Sequence, residues 1–73
     1  MTHANIETPN GVQLYVRGEV QHGENERGEY YDVPTIEVAA NPLHGPWRTI
    51  REDWHMTAEN ALLAAWSRGR WSV

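Results

Sequence analysis

The hydrophobic and polar positions divide the chain into a long alternating part and a shorter helical part. Val12, Leu14, Val16, Gly18 and Val20 alternate with Gln13, Tyr15, Arg17, Glu19 and Gln21, the period-two pattern of a strand with one wet face. Gly18 interrupts the buried side and predicts either a bulge or close packing beneath another backbone, with the alanine-rich helix as the expected neighbour. Upstream, Thr8-Pro9-Asn10-Gly11 combines a proline that sets φ with a glycine that tolerates positive φ, and so predicts a hairpin tip after a first strand. Downstream, Ile36, Val38 and Ala40 point one way while Val33 falls on the opposite parity. Pro34 cannot donate to a strand ladder, which predicts a bulge or an edge where the alternation shifts. Between these runs His22–Gly28 is wholly polar or glycine and reads as a loop projecting into water. Asn41–Pro46 reads as a rigid connector, and Trp47–Arg51 as a short final edge strand.

The helical part carries Ala58, Ala61, Leu62, Ala65 and Trp66 at three- and four-residue steps, which is the spacing of one buried stripe. Thr57 is the expected N-cap, and Glu59 places negative charge near the start, where the helix dipole favours it. Arg68 and Arg70 fall in the last turn. Gly69 is the expected terminator, with Trp71 folding back behind it. Trp66 is read as a core anchor, since large aromatics supply much of a small core's buried area.

These elements predict one α+β domain over residues 1–73: an antiparallel β-meander of three to four strands with one carboxyl-terminal helix packed on one face. The expected strands cover about 3–8, 12–22, 29–40 and 47–51, and the helix about 58–68. Leu14, Val16, Ile36, Val38, Leu62 and Trp66 are the expected core. A domain this short buries only about 60% of the surface that its unfolded chain exposes, so the core is thin and a homodimer would be one way to supplement it. Cysteine is absent, which removes disulfides, thiolate zinc sites and cysteine nucleophiles from consideration. The amino-terminal residues show neither a basic n-region nor an apolar run, so neither a signal peptide nor a membrane span is predicted, and a cytoplasmic location is the expectation. All six basic residues are arginine, a bias of the kind that a GC-rich coding sequence produces.

Motifs for catalysis are sparse. No two histidines have the i, i+4 spacing that brings both onto one metal, and the nearest constellation is Glu52, Asp53 and His55 with His44 on the preceding connector. A metal-dependent hydrolase built on them ranks third among the functional readings, and no metal or other cofactor is expected. Ser67 and Ser72 lie outside any strained strand-to-helix elbow, and the six glycines are dispersed instead of forming a phosphate loop. The chain is therefore read as a non-enzyme.

Charge distribution supplies the two leading readings. Residues 1–46 carry seven acids against two arginines, whereas residues 47–73 carry three acids against four arginines, within a net charge of −4. In the first reading Glu19, Glu24, Glu26, Glu29, Tyr30 and Asp32 form an acidic hairpin that docks on a basic surface of another protein, since carboxylates spaced along a ribbon resemble phosphates and complementary charge orients association. Small size and acidity also fit a phage or prophage product that modulates a host or rival protein. In the alternative, Trp47, Arg48, Arg51, Arg68, Arg70 and Trp71 offer stacking platforms and phosphate contacts for a single nucleic-acid strand. The net negative charge opposes this second reading, because such affinity comes largely from phosphate neutralisation.

Overall fold

A computed structural model describes residues 1–71, with side chains through residue 69. Six strands precede one helix: β1 (Thr2–Glu7), β2 (Gln13–Gly18), β3 (Gln21–Asn25), β4 (Gly28–Asp32), β5 (Ile36–Ala39), β6 (Arg48–Thr49) and α1 (Glu52–Trp71). Four strands form an antiparallel sheet in the order β1-β2-β5-β6, while β3 and β4 pair as a separate two-stranded ribbon. The helix packs on the four-stranded sheet, so the fold is α+β.

The hairpin tip forms as its residues predict. The Thr8 hydroxyl accepts from Val12 N–H at 3.1 Å, Gly11 N–H donates to the Thr8 carbonyl at 2.9 Å, and Gly11 takes a φ of +84° that suits glycine.

The two long strands expected at 12–22 and 29–40 are each divided. Gly18 pairs with Ile36 at the end of the sheet, and Gln21 pairs with Asp32 at the start of the ribbon. Glu19 and Val20 thus face a connection of Val33, Pro34 and Thr35, one residue longer on the proline side. That extra residue shifts the alternation as a bulge does, which explains why Val33 and Ile36 are both fully buried although three apart. The turn stretch expected to be a loop, His22–Gly28, instead contributes β3 and the tight turn of the ribbon.

The bulge is held from the helix. Val33 N–H donates to Glu59 Oε2 at 3.0 Å, so a donor that the bulge removes from the ladder is satisfied by a carboxylate. Gly18 lies beneath the same connection, where a Cβ would sit 2.5 Å from Val33 Cγ1 and 2.9 Å from the Thr35 carbonyl oxygen. The expected close approach is present, but its first neighbours are the bulge residues and Leu62 of the helix comes third.

The helix begins earlier and ends later than its sequence signals. It starts at Glu52, with Trp54 N–H donating to the Arg51 carbonyl at 3.0 Å, and Glu52 and Asp53 supply the negative charge of the first turn. Thr57 is therefore inside the helix and exposed, and Glu59 sits two turns in. Gly69 does not end it, since the helix continues to Trp71 and Gly69 has no positive φ. The fold-back of Trp71 concerns a side chain outside the described residues.

Ile6, Val16, Val33, Ile36, Ile50, Ala58 and Leu62 form the core. Of the expected core, Val16, Ile36 and Leu62 are fully buried, while Leu14 and Val38 are only partly covered. The helix lies chiefly over β1 and leaves those two near the uncovered end of the sheet. Trp66 is half-buried and packs on Tyr31 of the ribbon, with ring centroids 5.0 Å apart. Among the described residues no helix is long and apolar enough to cross a membrane.

Candidate protein-docking ribbon

The ribbon has two faces fixed by its register. His22 pairs with Tyr31 and Glu24 with Glu29, while Gln21 pairs with Asp32, Gly23 with Tyr30 and Asn25 with Gly28. Paired residues share a face and neighbours alternate, so His22, Glu24, Glu29 and Tyr31 lie on one side and Tyr30 and Asp32 on the other.

The first face is anchored at its base. Tyr31 stacks on His22 at 4.9 Å and meets Trp66 of the helix, which ties the ribbon to the main body. Beyond that aromatic base, Glu24 and Glu29 stand directly opposite each other. His22 Nε2 lies 3.7 Å from Glu29 Oε1, and both side chains are exposed. Glu26 and Arg27 form the turn, where Asn25 Oδ1 accepts from Arg27 N–H at 2.8 Å and Gly28 takes a φ of +115°. Among the described residues, neither Glu24 nor Glu26 has a cationic partner.

On the second face the Tyr30 ring covers Gly23 so closely that a Cβ there would overlap it. This protects a glycine backbone that otherwise weakens a strand. Tyr30 nevertheless keeps 44% of its surface exposed. Glu19 lies at the bend between β2 and β3, exposed and beside a shallow hollow shared with Arg17 and Thr35. The six acidic-hairpin residues therefore form three groups: Glu24, Glu26 and Glu29 toward the tip, Tyr30 and Asp32 on the reverse face, and Glu19 at the bend.

The arginine and tryptophan residues of the alternative reading do not share one surface. The Trp47 ring receives the Arg17 guanidinium at 4.1 Å and meets His3 edge-on at 6.4 Å. Arg17 also pairs with Glu37 at 3.0 Å. Arg48 lies on the short edge strand opposite Val38. Arg51 pairs with Asp53 at 3.0 Å and lies 5.1 Å from the Trp54 ring. Arg68 is more than four helical turns further on, a separation of roughly 25 Å. The side chains of Arg70 and Trp71 are outside the described residues.

The His3–Arg17–Glu37–Trp47 cluster escaped the sequence reading. His3, Arg17 and Glu37 occupy one cross-strand row, and only the register brings them together.

The histidine and carboxylate constellation is dispersed as well. His44 sits on an exposed turn organised by Asn41, whose Oδ1 accepts from Leu43 N–H and His44 N–H at 2.9 and 3.3 Å. His55 lies 3.9 Å from Glu59. No three histidine, aspartate or glutamate side chains among the described residues converge as metal ligands. Compared with known proteins, the chain matches no family model, no curated protein and no solved structure.

Proposed function

We propose that this chain is a non-catalytic interaction module that docks a basic surface of another protein through the acidic end of the β3–β4 ribbon. The observation that carries this reading is the directly opposed pair Glu24 and Glu29, with Glu26 on the adjoining turn. Like charges directly opposite each other across a strand pair destabilise it. Among the described residues neither Glu24 nor Glu26 has a cationic side chain beside it and Glu29 has His22 at 3.7 Å, and a cationic partner surface would relieve the repulsion. The aromatic base of His22, Tyr31 and Trp66 holds the ribbon in place, so the carboxylates are presented with little ordering to be done on binding. A modulator of a host or rival protein, encoded by a phage or prophage, is the biological setting that size and acidity suggest.

The test is affinity capture from bacterial lysate, comparing the native chain with the triple variant Glu24→Gln, Glu26→Gln and Glu29→Gln. A protein retained only by the native chain, and released as salt rises, is the expected result. Equal recovery by both chains would sink the proposal, and nuclease-sensitive recovery by both would move the assignment to nucleic acid.

A further inference from the structure

A second surface lies on the other side of the helix, along the free edge of β1. The strand is terminal in its sheet, and among the described residues Thr2–Glu7 make backbone hydrogen bonds only with β2. Its outward N–H and C=O groups therefore form an open template for another strand. Two depressions of about 500 Å³ each follow the seam between this edge and α1. The first lies between His3–Asn5 and the helix residues Ala61, Ala64 and Arg68. The second lies between Ile6–Pro9 and Asp53, Trp54 and Thr57. Strand numbers rise as helix numbers fall, so the two hollows are successive parts of one slot.

The slot is electrically polar. Arg68, which has no carboxylate partner among the described residues, stands with His3 at one end. Glu7 and Asp53 stand at the other, with Asp53 also paired to Arg51. Ala61 and Ala64 keep the helix wall low beside the strand edge. An edge strand flanked by a helix is the arrangement that binds an extended peptide by strand addition, with main-chain hydrogen bonds giving affinity and flanking side chains giving selectivity.

The geometry points to the β1–α1 slot as a second docking site, which takes an extended segment of another protein antiparallel to β1. The basic end of β1 is its amino-terminal end, so an antiparallel occupant has a basic residue at its own start and an acidic residue at its end. Six strand residues span roughly 20 Å, which sets the occupant at about six to eight residues.

The probe is a fluorescein-labelled peptide, acetylated and amidated, of sequence Arg-Thr-Val-Thr-Val-Thr-Glu, with a control in which arginine and glutamate are exchanged. Anisotropy titration of the full chain is expected to show the first peptide binding about tenfold more tightly than the control, a difference of 1.4 kcal/mol. Arg68→Glu should remove that preference. Ala64→Tyr, an exposed substitution that fills the slot, should abolish binding while the thermal midpoint stays unchanged. Amide exchange should slow at residues within His3–Glu7 when the first peptide is present. Equal affinity for the two peptides, no binding at millimolar concentration, or undiminished binding by a folded Ala64→Tyr chain would each overturn the proposal. So would sedimentation showing that a second copy of the chain fills the slot and excludes the peptide.

Discussion

The same two strand runs build both the sheet and the ribbon, yet on the two sides of the bulge they do opposite things. Before the bend, β2 and β5 carry the buried Val16, Gly18 and Ile36, and Val16 and Ile36 share one core cluster with Leu62 and Ala58 of the helix. Beyond it, no residue of β3 or β4 is fully buried, and the ribbon reaches the body through Tyr31 and Trp66. A two-stranded hairpin has marginal stability alone, so the ribbon depends on the body while the body has little need of the ribbon. Residues before the bulge are constrained by volume, and residues after it are constrained only by strand geometry and charge. Substitutions on the two sides should therefore separate stability from docking.

Leu62→Ala should have the largest effect. Leu62 is wholly buried between the helix and the sheet, and truncation of such a leucine costs roughly 2–5 kcal/mol. Urea unfolding followed by circular dichroism should show a midpoint shift of that size; an unchanged midpoint would disprove the helix docking. Matched glycine substitutions sharpen the contrast between regions. Gly18→Ala drives a methyl group into Val33 and the Thr35 carbonyl, where the backbone of the bulge cannot yield cheaply, and should cost about 1–3 kcal/mol. Gly23→Ala has the Tyr30 ring as its nearest obstacle, which can swing toward water, and should cost less than about 1 kcal/mol. Equal losses for the two variants would mean that the ribbon is packed as tightly as the sheet.

The bulge itself is tested through Glu59. Glu59→Ala leaves the Val33 N–H without its acceptor and should cost about 1–2 kcal/mol, because a buried donor keeps the penalty of its lost hydration. Glu59→Gln retains an acceptor oxygen and should recover most of that loss. If glutamine behaved like alanine, the negative charge, with His55 nearby at 3.9 Å, would be the stabilising element in place of the hydrogen bond.

How far the sequence discloses this arrangement depends on how local each signal is. The α+β class, the Thr8–Gly11 turn and the Val16, Ile36 and Leu62 core follow from periodicity and turn chemistry within a few residues. Pro34 marks the bulge for the same reason, since its missing donor acts wherever it stands. The N-cap at Thr57 fails because a threonine can serve as a cap only if the preceding chain leaves the helix. Glu52–Met56 instead continues it, with half-buried Trp54 and His55 on the inner flank. Gly69 fails in the same way, as glycine permits a left-handed turn without imposing one. The acidic residues are visible in the sequence, but their division between two faces is not. A one-residue shift at a distant proline decides which of Glu29 and Tyr30 faces the helix side, and that shift belongs to the pairing of the strands.

The smallest expected effect bears directly on that division. Glu29→Gln removes one member of the opposed carboxylate pair while preserving side-chain size. It also removes the charge nearest His22, which lies 3.7 Å away. The first change should raise stability by a fraction of the roughly 0.2–1 kcal/mol range for cross-strand pairs, and the second should offset part of that gain. Thermal midpoints of Glu29→Gln should therefore show native stability or a slight gain. Glu24→Gln, whose side chain has no such neighbour among the described residues, should show the gain without that offset. A loss of stability for Glu24→Gln would show that the pair is held by an attraction within the fold, and the ribbon would then lose its claim to be a surface whose charge awaits a partner.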